Sequence, residues 1–548
     1  MAYGNIKIRI IFFAVTFCVF FGAAKVSQAA TYYVAASGGD DGYDGSAIAH
    51  TSGSVGPWAT FAHSIATLQP GDKLIIESSD NYTEPLVINK SGTAGHYITV
   101  QSQGYAAGGD PPADGDVTIT TGNEASPCSI GDFPNTVSYV ELDGVVCRET
   151  GAVNGTNGNR HALSIGGNGN LGTYNTYNIV RRVSAYGASG SNSFNINLTY
   201  VDHSLLEDVA ASGQGRINLN ALSVTNTTFR RVWMNWTGPS TGGGDTSGLN
   251  QIYDASNDTV ENCYGTSTTN GASIGGMGVW AHYGSSGGNQ FLGNISYFPS
   301  TQNVEAYGDD AECGQTTTGT IIKDNVSLNL YHGVGFREVL GNSSDGTRFT
   351  NNTLVGDGAA SNDQENKGIF LGNRLGCSQA ASMAYVYSNS FVHLTNAFQG
   401  SNANNHLLAR DYNNLYDIYE ECYDPAGSDP YSCGSTNGEI PARGENEKIL
   451  NPAYDTATYG NGAYLFPPTA LKGIGQGGAD IGADAIHRYV DGALTSMPLW
   501  PWPMEARIVS EIGVSPTWAA NGGLWKTLSG VYSSDTVPPV APSGLSVA

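Results

Sequence analysis

An irregular repeat constrains the fold of this chain more than any other feature. Short stretches of the form apolar-x-x-Asn, followed by a small or apolar residue, recur as TVENCYG, FLGNISYF, IIKDNVSL, FTNNTLVG and VYSNSFVH, with their Asn at Asn262, Asn294, Asn325, Asn352 and Asn389. Related stretches put Gly144, Arg182, Asp208, Arg231 and Asn414 at the same point, and successive intervals of 38, 26, 23, 31, 32, 31, 27, 37 and 25 residues average 30. A fixed short core at a variable interval means that each turn of structure repeats while its loops do not. Coils stacked about 4.8 Å apart behave this way: no coil can bury its own apolar face, but a stack buries a continuous core in which like residues align. An Asn at a sharp bend tolerates the left-handed conformation and can pair its amide with the rungs above and below. The Asn column is therefore expected to be a structural ladder, and the N-x-S triplets at Asn294 and Asn325 its by-product.

Composition agrees with a stack of short strands. Glycine supplies 73 of 548 residues and charged residues only 13%, where about 25% is ordinary, while the hydrophobic share is 40%. These values exclude a helical bundle, a coiled coil and a disordered chain. The net charge of −24 repels phosphate backbones, so nucleic acid is not an expected partner. An acidic polysaccharide could be held only through a divalent cation or a local basic patch.

Lys7 and Arg9, the apolar run from Ile10 to Ala24 and the small-x-small signal Ser27-Gln28-Ala29 read as a secretory signal peptide over residues 1–29. The chain is expected to be exported, without membrane insertion, and to act as a monomer. Of the Cys beyond that segment, Cys128/Cys147 and Cys422/Cys433 are the expected disulfides by spacing, with Cys313/Cys377 a further pair and Cys263 left over. No zinc-ligand spacing occurs.

The opening TYYVAASGGDDGYDG, then PWATFAHSIATLQPGDKLIIE and YTEPLVINKSGTAGHYITVQSQG, resembles the entry of right-handed parallel β-helix proteins of the pectate-lyase-like superfamily, and Asp480-Ile481-Gly482-Ala483 resembles their closing stretch. The resemblance implies an all-β, right-handed parallel β-helix of roughly ten or more coils. It also implies a short N-terminal capping helix with Trp58, Phe61, Ile65 and Leu68 as its apolar stripe. The expected layout is a cap over 30–72, the β-helix over 73–490 and a C-terminal capping segment over 491–534 with a short helix from Met504 to Ile512. Residues 535–548 read as a linker or the start of a fibronectin-type-III-like module. The superfamily holds lyases, hydrolases, esterases and non-enzymes, so the resemblance alone does not set a reaction.

Strand alternation gives the candidate site. Aligning GVWAHYG, NVEAYGD, GVGFREV and GIFLGNR puts Val279/Ala281, Val304/Ala306, Val334/Phe336 and Ile369/Leu371 inward. The outward column then holds Trp280 and His282, then Glu305, Tyr307 and Asp309, then Arg337, then Phe370 and Arg374. Asn195, Asn197, Asn218 and Asn220 of earlier coils fall on the same face, with Tyr253 and Asp254 nearby. Asn and Asp bond sugar hydroxyls, and Trp280, Tyr253 and Tyr307 offer flat faces to pyranose rings, so the expected partner is a polysaccharide. For β-elimination from a uronate, His282 or Tyr307 is the candidate base, with Arg337 or Arg374 as neutralising cation. Glu305, Asp309, Asp310 and Glu312 could hold Ca²⁺. Hydrolysis would instead pair Glu305 with Asp309 or Asp254. A non-catalytic glycan-binding protein is the remaining alternative.

Overall fold

The computed structural model describes residues 29–515 except for 79–80, 104–116, 122–125, 132–134, 151–160, 168–171, 189–192, 214, 238–249, 268–280, 284–285, 298–304, 311–315, 331–333, 341–342, 357–365, 374–381, 401–405, 424–439 and 500–503. Several strands near the middle, among them Glu305–Asp310 and Val334–Leu340, are described by their backbone alone. The expected signal peptide, Cys313, Cys377, Cys433 and the segment 535–548 lie outside the described residues.

Three long sheets of 15, 13 and 12 strands run the length of the chain, and their ladders are parallel. One coil contributes a strand to each, as in Thr259–Glu261, Tyr264–Ser267 and Ala281–Tyr283, followed by Gln290–Leu292, Ile295–Tyr297 and Glu305–Asp310. This is a right-handed parallel β-helix, the hand that parallel crossovers take. Its core is built of columns. In the 15-stranded sheet Leu74, Val100, Leu142, Val180, Leu206, Phe229, Val260, Phe291, Ile322, Phe349 and Val386 stack in register, none more than 1% exposed.

The Asn repeat is a ladder, with a correction to its alignment. The left-handed position at each bend is occupied by Gly144, Arg182, Asp208, Arg231, Asn262, Gly293, Asp324, Asn351, Ser388 and Tyr412. The next residue points inward: Val145, Val183, Val209 and Val232, then Cys263, then Asn294, Asn325, Asn352, Asn389 and Asn413, all fully buried. Sequence alignment on Asn262 and Asn414 mixed these columns, because Asn suits both the bend and the ladder. Each ladder Asn accepts at Oδ1 from the backbone N–H of the previous rung, at 2.8–3.0 Å, starting at Cys263 and ending at Asn413. Asn413 in turn donates to Glu447 at 3.1 Å, which closes the series.

A second ladder lines the opposite bend of the 15-stranded sheet, through Asn178, Ser204, Thr227, Asp258 and Asn289. Asp258 Oδ1 accepts from Thr227 N–H at 2.8 Å, but Oδ2 has no partner among the described residues. Burial drives its carboxyl well above the usual range. A folded pKa above the unfolded one contributes stability that is complete at acid pH and is lost as pH rises. Asp258→Asn keeps the acceptor and removes the charge, so it is expected to stabilise the protein by about 1–3 kcal/mol at pH 7 and by little at pH 4. Urea unfolding of both proteins at the two pH values checks this, and an equal effect at both would contradict it.

Charge is concentrated on the outer side of the 15-stranded sheet, in the register column Asp143, Arg181, Glu207, Arg230, Glu261. Signs alternate along this column. Arg181 bridges Glu141 at 2.9 Å and Glu207 at 3.2 Å, while Arg230 bridges Glu207 at 3.2 Å, Glu261 at 2.6 Å and Asp491 at 2.7 Å. The last coil strand of the 13-stranded sheet is Glu420–Tyr423, so the coils stop short of residue 490. Residues beyond them pack instead on the 12-stranded sheet. Leu465, Ala485, Ile486, Ile508 and Ile512 share a buried cluster with Trp233, Tyr264, Ile295 and Val326. The expected helix forms at Glu505–Glu511 and lies on middle coils, where Trp233 Nε1 donates to Glu511 at 3.3 Å.

At the other end, helix Phe61–Thr67 is capped by Thr60, whose side chain accepts from His63 N–H. Phe61, Ile65, Leu68 and Trp58 are buried, as its apolar stripe requires. Cys128 and Cys147 are bonded, Cys422 is disulfide-bonded, and Cys263 is free and buried. No helix among the described residues is long and apolar enough to cross a membrane.

Candidate functional site

The expected site lies on the 13-stranded sheet, whose register can be anchored on fully buried residues. Ile165, Leu198, Ala221 and Ile252 form one inward column. Because side chains alternate along a strand, the flanking columns are register positions of the opposite, outward parity. One is Ser164, Asn197, Asn220, Gln251 and Ala281; the other is Gly166, Thr199, Leu222, Tyr253, Tyr283 and Asp310. Further along, Ile369 and Phe398 are buried, so the column Gly308, Arg337, Phe370, Gln399 is again of the outward parity.

Asn197 and Asn220 share one column of outward parity, but Asn220 is buried at 7% exposure. Asn220 Nδ2 donates to Asn197 Oδ1 at 2.9 Å, and Asn197 is half-buried, which leaves amide surface beside a half-buried Tyr253 two positions further on. Asn195 and Asn218 are not on this surface. Both have no exposed area, Asn195 Nδ2 donates to Asn218 Oδ1 at 2.5 Å, and Asn195 Oδ1 accepts from Ala188 N–H at 3.1 Å. Their role is to support the bend at Ala188, and they cannot touch a substrate.

The register is one residue out of step with the sequence alignment over the central strands. His282 pairs with Ile252 and so shares the buried column of Ala221 and Leu198. Tyr307 pairs with Phe336, in the column of Ile369 and Phe398, while Glu305 pairs with Val334 and Asp309 with Glu338, positions of the same inward parity. Both frames put small apolar residues at alternate positions, Val279 and Ala281 in one, so local pattern could not choose between them; pairing with Ile252 does. Tyr283, Gln251 and Asp310 are the outward-column residues that sequence reasoning missed or assigned elsewhere. Arg337 keeps its outward parity. Trp280, Glu312 and Arg374 lie outside the described residues.

Glu305, Asp309 and Asp310 belong to one strand, and Glu312 lies outside the described residues. Among the described residues no group of three His, Cys, Asp or Glu could hold a metal. Asp254 is exposed at a left-handed turn position immediately after Tyr253. At the earlier end of the face, burial pushes His161 down to about 4, and the ring stacks on Phe194 at 5.0 Å and accepts from its N–H at 3.2 Å, a structural role.

No protein-family model matches the sequence, and no curated protein matches it either. Several solved structures resemble the fold. A pectate lyase is 13% identical with a TM-score of 0.40, over 84% of this chain and 97% of its own. The A-module of a mannuronan C-5 epimerase from Azotobacter vinelandii is 10% identical with a TM-score of 0.42, over 72% and 94%. An alginate lyase from Paenibacillus sp. is 11% identical with a TM-score of 0.34, over 64% and 95%.

Proposed function

We propose that this chain is an exported polysaccharide lyase that cleaves a uronate-containing glycan by β-elimination on the outward face of the 13-stranded sheet. The observation that carries this is the register position of Arg337, in an outward-parity column with Phe370 and Gln399 and one strand from Asp310. The half-buried Asn197 and Tyr253, with Gln251 and Tyr283 at register positions of the same parity, suit an extended sugar chain, hydroxyls to amides and pyranose faces to rings.

In this scheme Arg337 binds the substrate carboxylate and stabilises the enolate that develops when the adjacent C–H is broken. Tyr283, two strands away in the same face by register, takes that proton as its phenolate. The electron pair forms the ring double bond, the glycosidic C–O bond breaks, and the departing oxygen takes the proton from the Tyr283 phenol, which restores the phenolate. A cation at this point also answers the long-range repulsion between a protein of net charge −24 and an acidic polymer. Hydrolysis by paired carboxylates, Glu305 with Asp309 or Asp254, is the alternative that the test below separates from elimination. No step is assigned to Ca²⁺.

The test is a screen of the purified protein on polygalacturonate, alginate and neutral glucans, with added Ca²⁺ and with chelator. Ultraviolet-absorbing unsaturated ends are expected from a uronate polymer alone. Binding to these polymers without new chain ends would leave a non-catalytic glycan-binding protein, and new reducing ends without absorbance would indicate hydrolysis.

A further inference from the structure

A second recess lies on another side of the helix, on the 15-stranded sheet. It has a volume of about 320 Å³, at the small end of ligand sites. Lys323, Arg348, Thr350 and Tyr387 line it from three successive strands, and Gln476 closes one side from the C-terminal segment. That wall is fixed: Gln476 N–H donates to Ser388 Oγ at 2.9 Å, Gly482 N–H to Ser388 O at 2.8 Å, and Asn351 Nδ2 to Asp480 O at 2.7 Å.

The charge balance of the recess is opposite to that of the protein. None of its lining residues is acidic, in a chain with 48 Asp and Glu against 24 Lys and Arg. Arg348 is exposed, stands between Ile321 and Tyr385 in its register column, and has its guanidinium 5.5 Å from the centre of the Tyr385 ring. Stacking of this kind orients the fork without using its donors. Arg348 has no ion pair among the described residues. The neighbouring carboxylates have other partners: Asp411 accepts from Asn446 through both oxygens at 2.9 Å, Asp480 from Gly473 N–H at 2.8 Å, and Asp324 from the Tyr489 hydroxyl. Lys323 is 3.8 Å from Asp324 and remains partly exposed. Charged columns elsewhere on this sheet are neutralised rung by rung, whereas here Lys323 has only the long contact to Asp324 and Arg348 has no ion pair among the described residues.

We propose that this recess binds a carboxylated sugar unit, with Arg348 gripping the carboxylate, Lys323 adding charge and the Tyr387 ring meeting the pyranose face. It is a non-catalytic anchor for the polymer, separate from the 13-stranded face; only the choice of uronate as ligand rests on the function proposed above. The chemistry needed is a planar acceptor for the Arg fork beside an apolar ring face, which a uronate supplies and a neutral glucan does not.

The experiment titrates Arg337→Ala protein, in which cleavage is expected to be about 10²–10³-fold slower, with trigalacturonate, trimannuronate and the neutral maltotriose by calorimetry, and repeats this after adding Arg348→Ala or Lys323→Ala. Binding of at least one charged trisaccharide, at least tenfold tighter than maltotriose, is expected, with Arg348→Ala weakening it about tenfold and Arg348→Lys less. Equal binding of charged and neutral sugars, no binding, or an Arg348→Ala titration like that of its parent would overturn the proposal. Arg348→Ala in the otherwise unchanged chain is expected to keep kcat on a short substrate. If the unchanged chain binds uronate through Arg348 but makes no unsaturated ends, the anchor stands and the lyase reading falls; cleavage with no effect of Arg348→Ala on binding gives the reverse.

Discussion

Replacing Arg230 with alanine is expected to lower the unfolding free energy by about 3–5 kcal/mol, the largest single-residue loss predicted for this protein. Arg230 is 3% exposed and joins three carboxylates from different parts of the chain, Glu207, Glu261 and Asp491. Burial works against its charge, but Glu261 and Glu207 more than offset that and hold the guanidinium protonated. After its removal Glu207 keeps Arg181 and Arg231, at 3.2 and 3.1 Å. Glu261, with no exposed area, keeps among the described residues only the backbone N–H groups of Asp491 and Gly492, at 3.2 and 2.9 Å, so an uncompensated charge is buried there. The double variant Arg230→Met with Glu261→Gln is therefore expected to recover much of the loss. Because the network is buried, the effect should change little between low and high salt. Urea unfolding measures both statements; a loss below about 1 kcal/mol would mean that the column is no stronger than a surface ion pair.

The second large effect concerns chemistry. Arg337→Ala is expected to reduce kcat/KM on a uronate polymer by about 10²–10³, the usual cost of deleting a group that stabilises developing negative charge. Arg337→Lys should recover part of this, since a point charge remains while two-point contact with the carboxylate is lost. Tyr283→Phe should reduce kcat by a similar factor with little change in KM, because the ring face is kept and only the proton acceptor is removed. Near-normal activity in Tyr283→Phe together with loss in His282→Ala would show that the register of the central strands is one residue away from that described.

What could be read from the sequence divides along physical lines. The stack, its capping helix and the Cys128–Cys147 bond were legible because each rests on a repeated or short-range pattern: the columns through Val180 and Phe229, the stripe Phe61 and Ile65, and close Cys spacing. The candidate site could be assigned from sequence only to a sheet, not to positions on it. Asn at the left-handed position, as in Asn262, looks the same in sequence as Asn in the ladder, as in Asn294, yet the two are one residue apart in the bend. A one-residue slip exchanges the faces of a strand, which is how His282 and Tyr307 exchanged places with Tyr283 and Asp310. Asn195 and Asn218 fit a sugar-binding face by composition, but their burial depends on the bend at Ala188, a contact that no local pattern encodes. The recess at Arg348 was invisible because its wall at Gln476 comes from 88 residues beyond Ser388.

The central claim is elimination on a uronate polymer, and product mass tests it most directly. Digestion of a defined oligouronate should give two fragments whose masses sum to that of the parent, one of them carrying an unsaturated end. Fragments whose masses sum to the parent plus one water would contradict the account, since that is the product of hydrolysis.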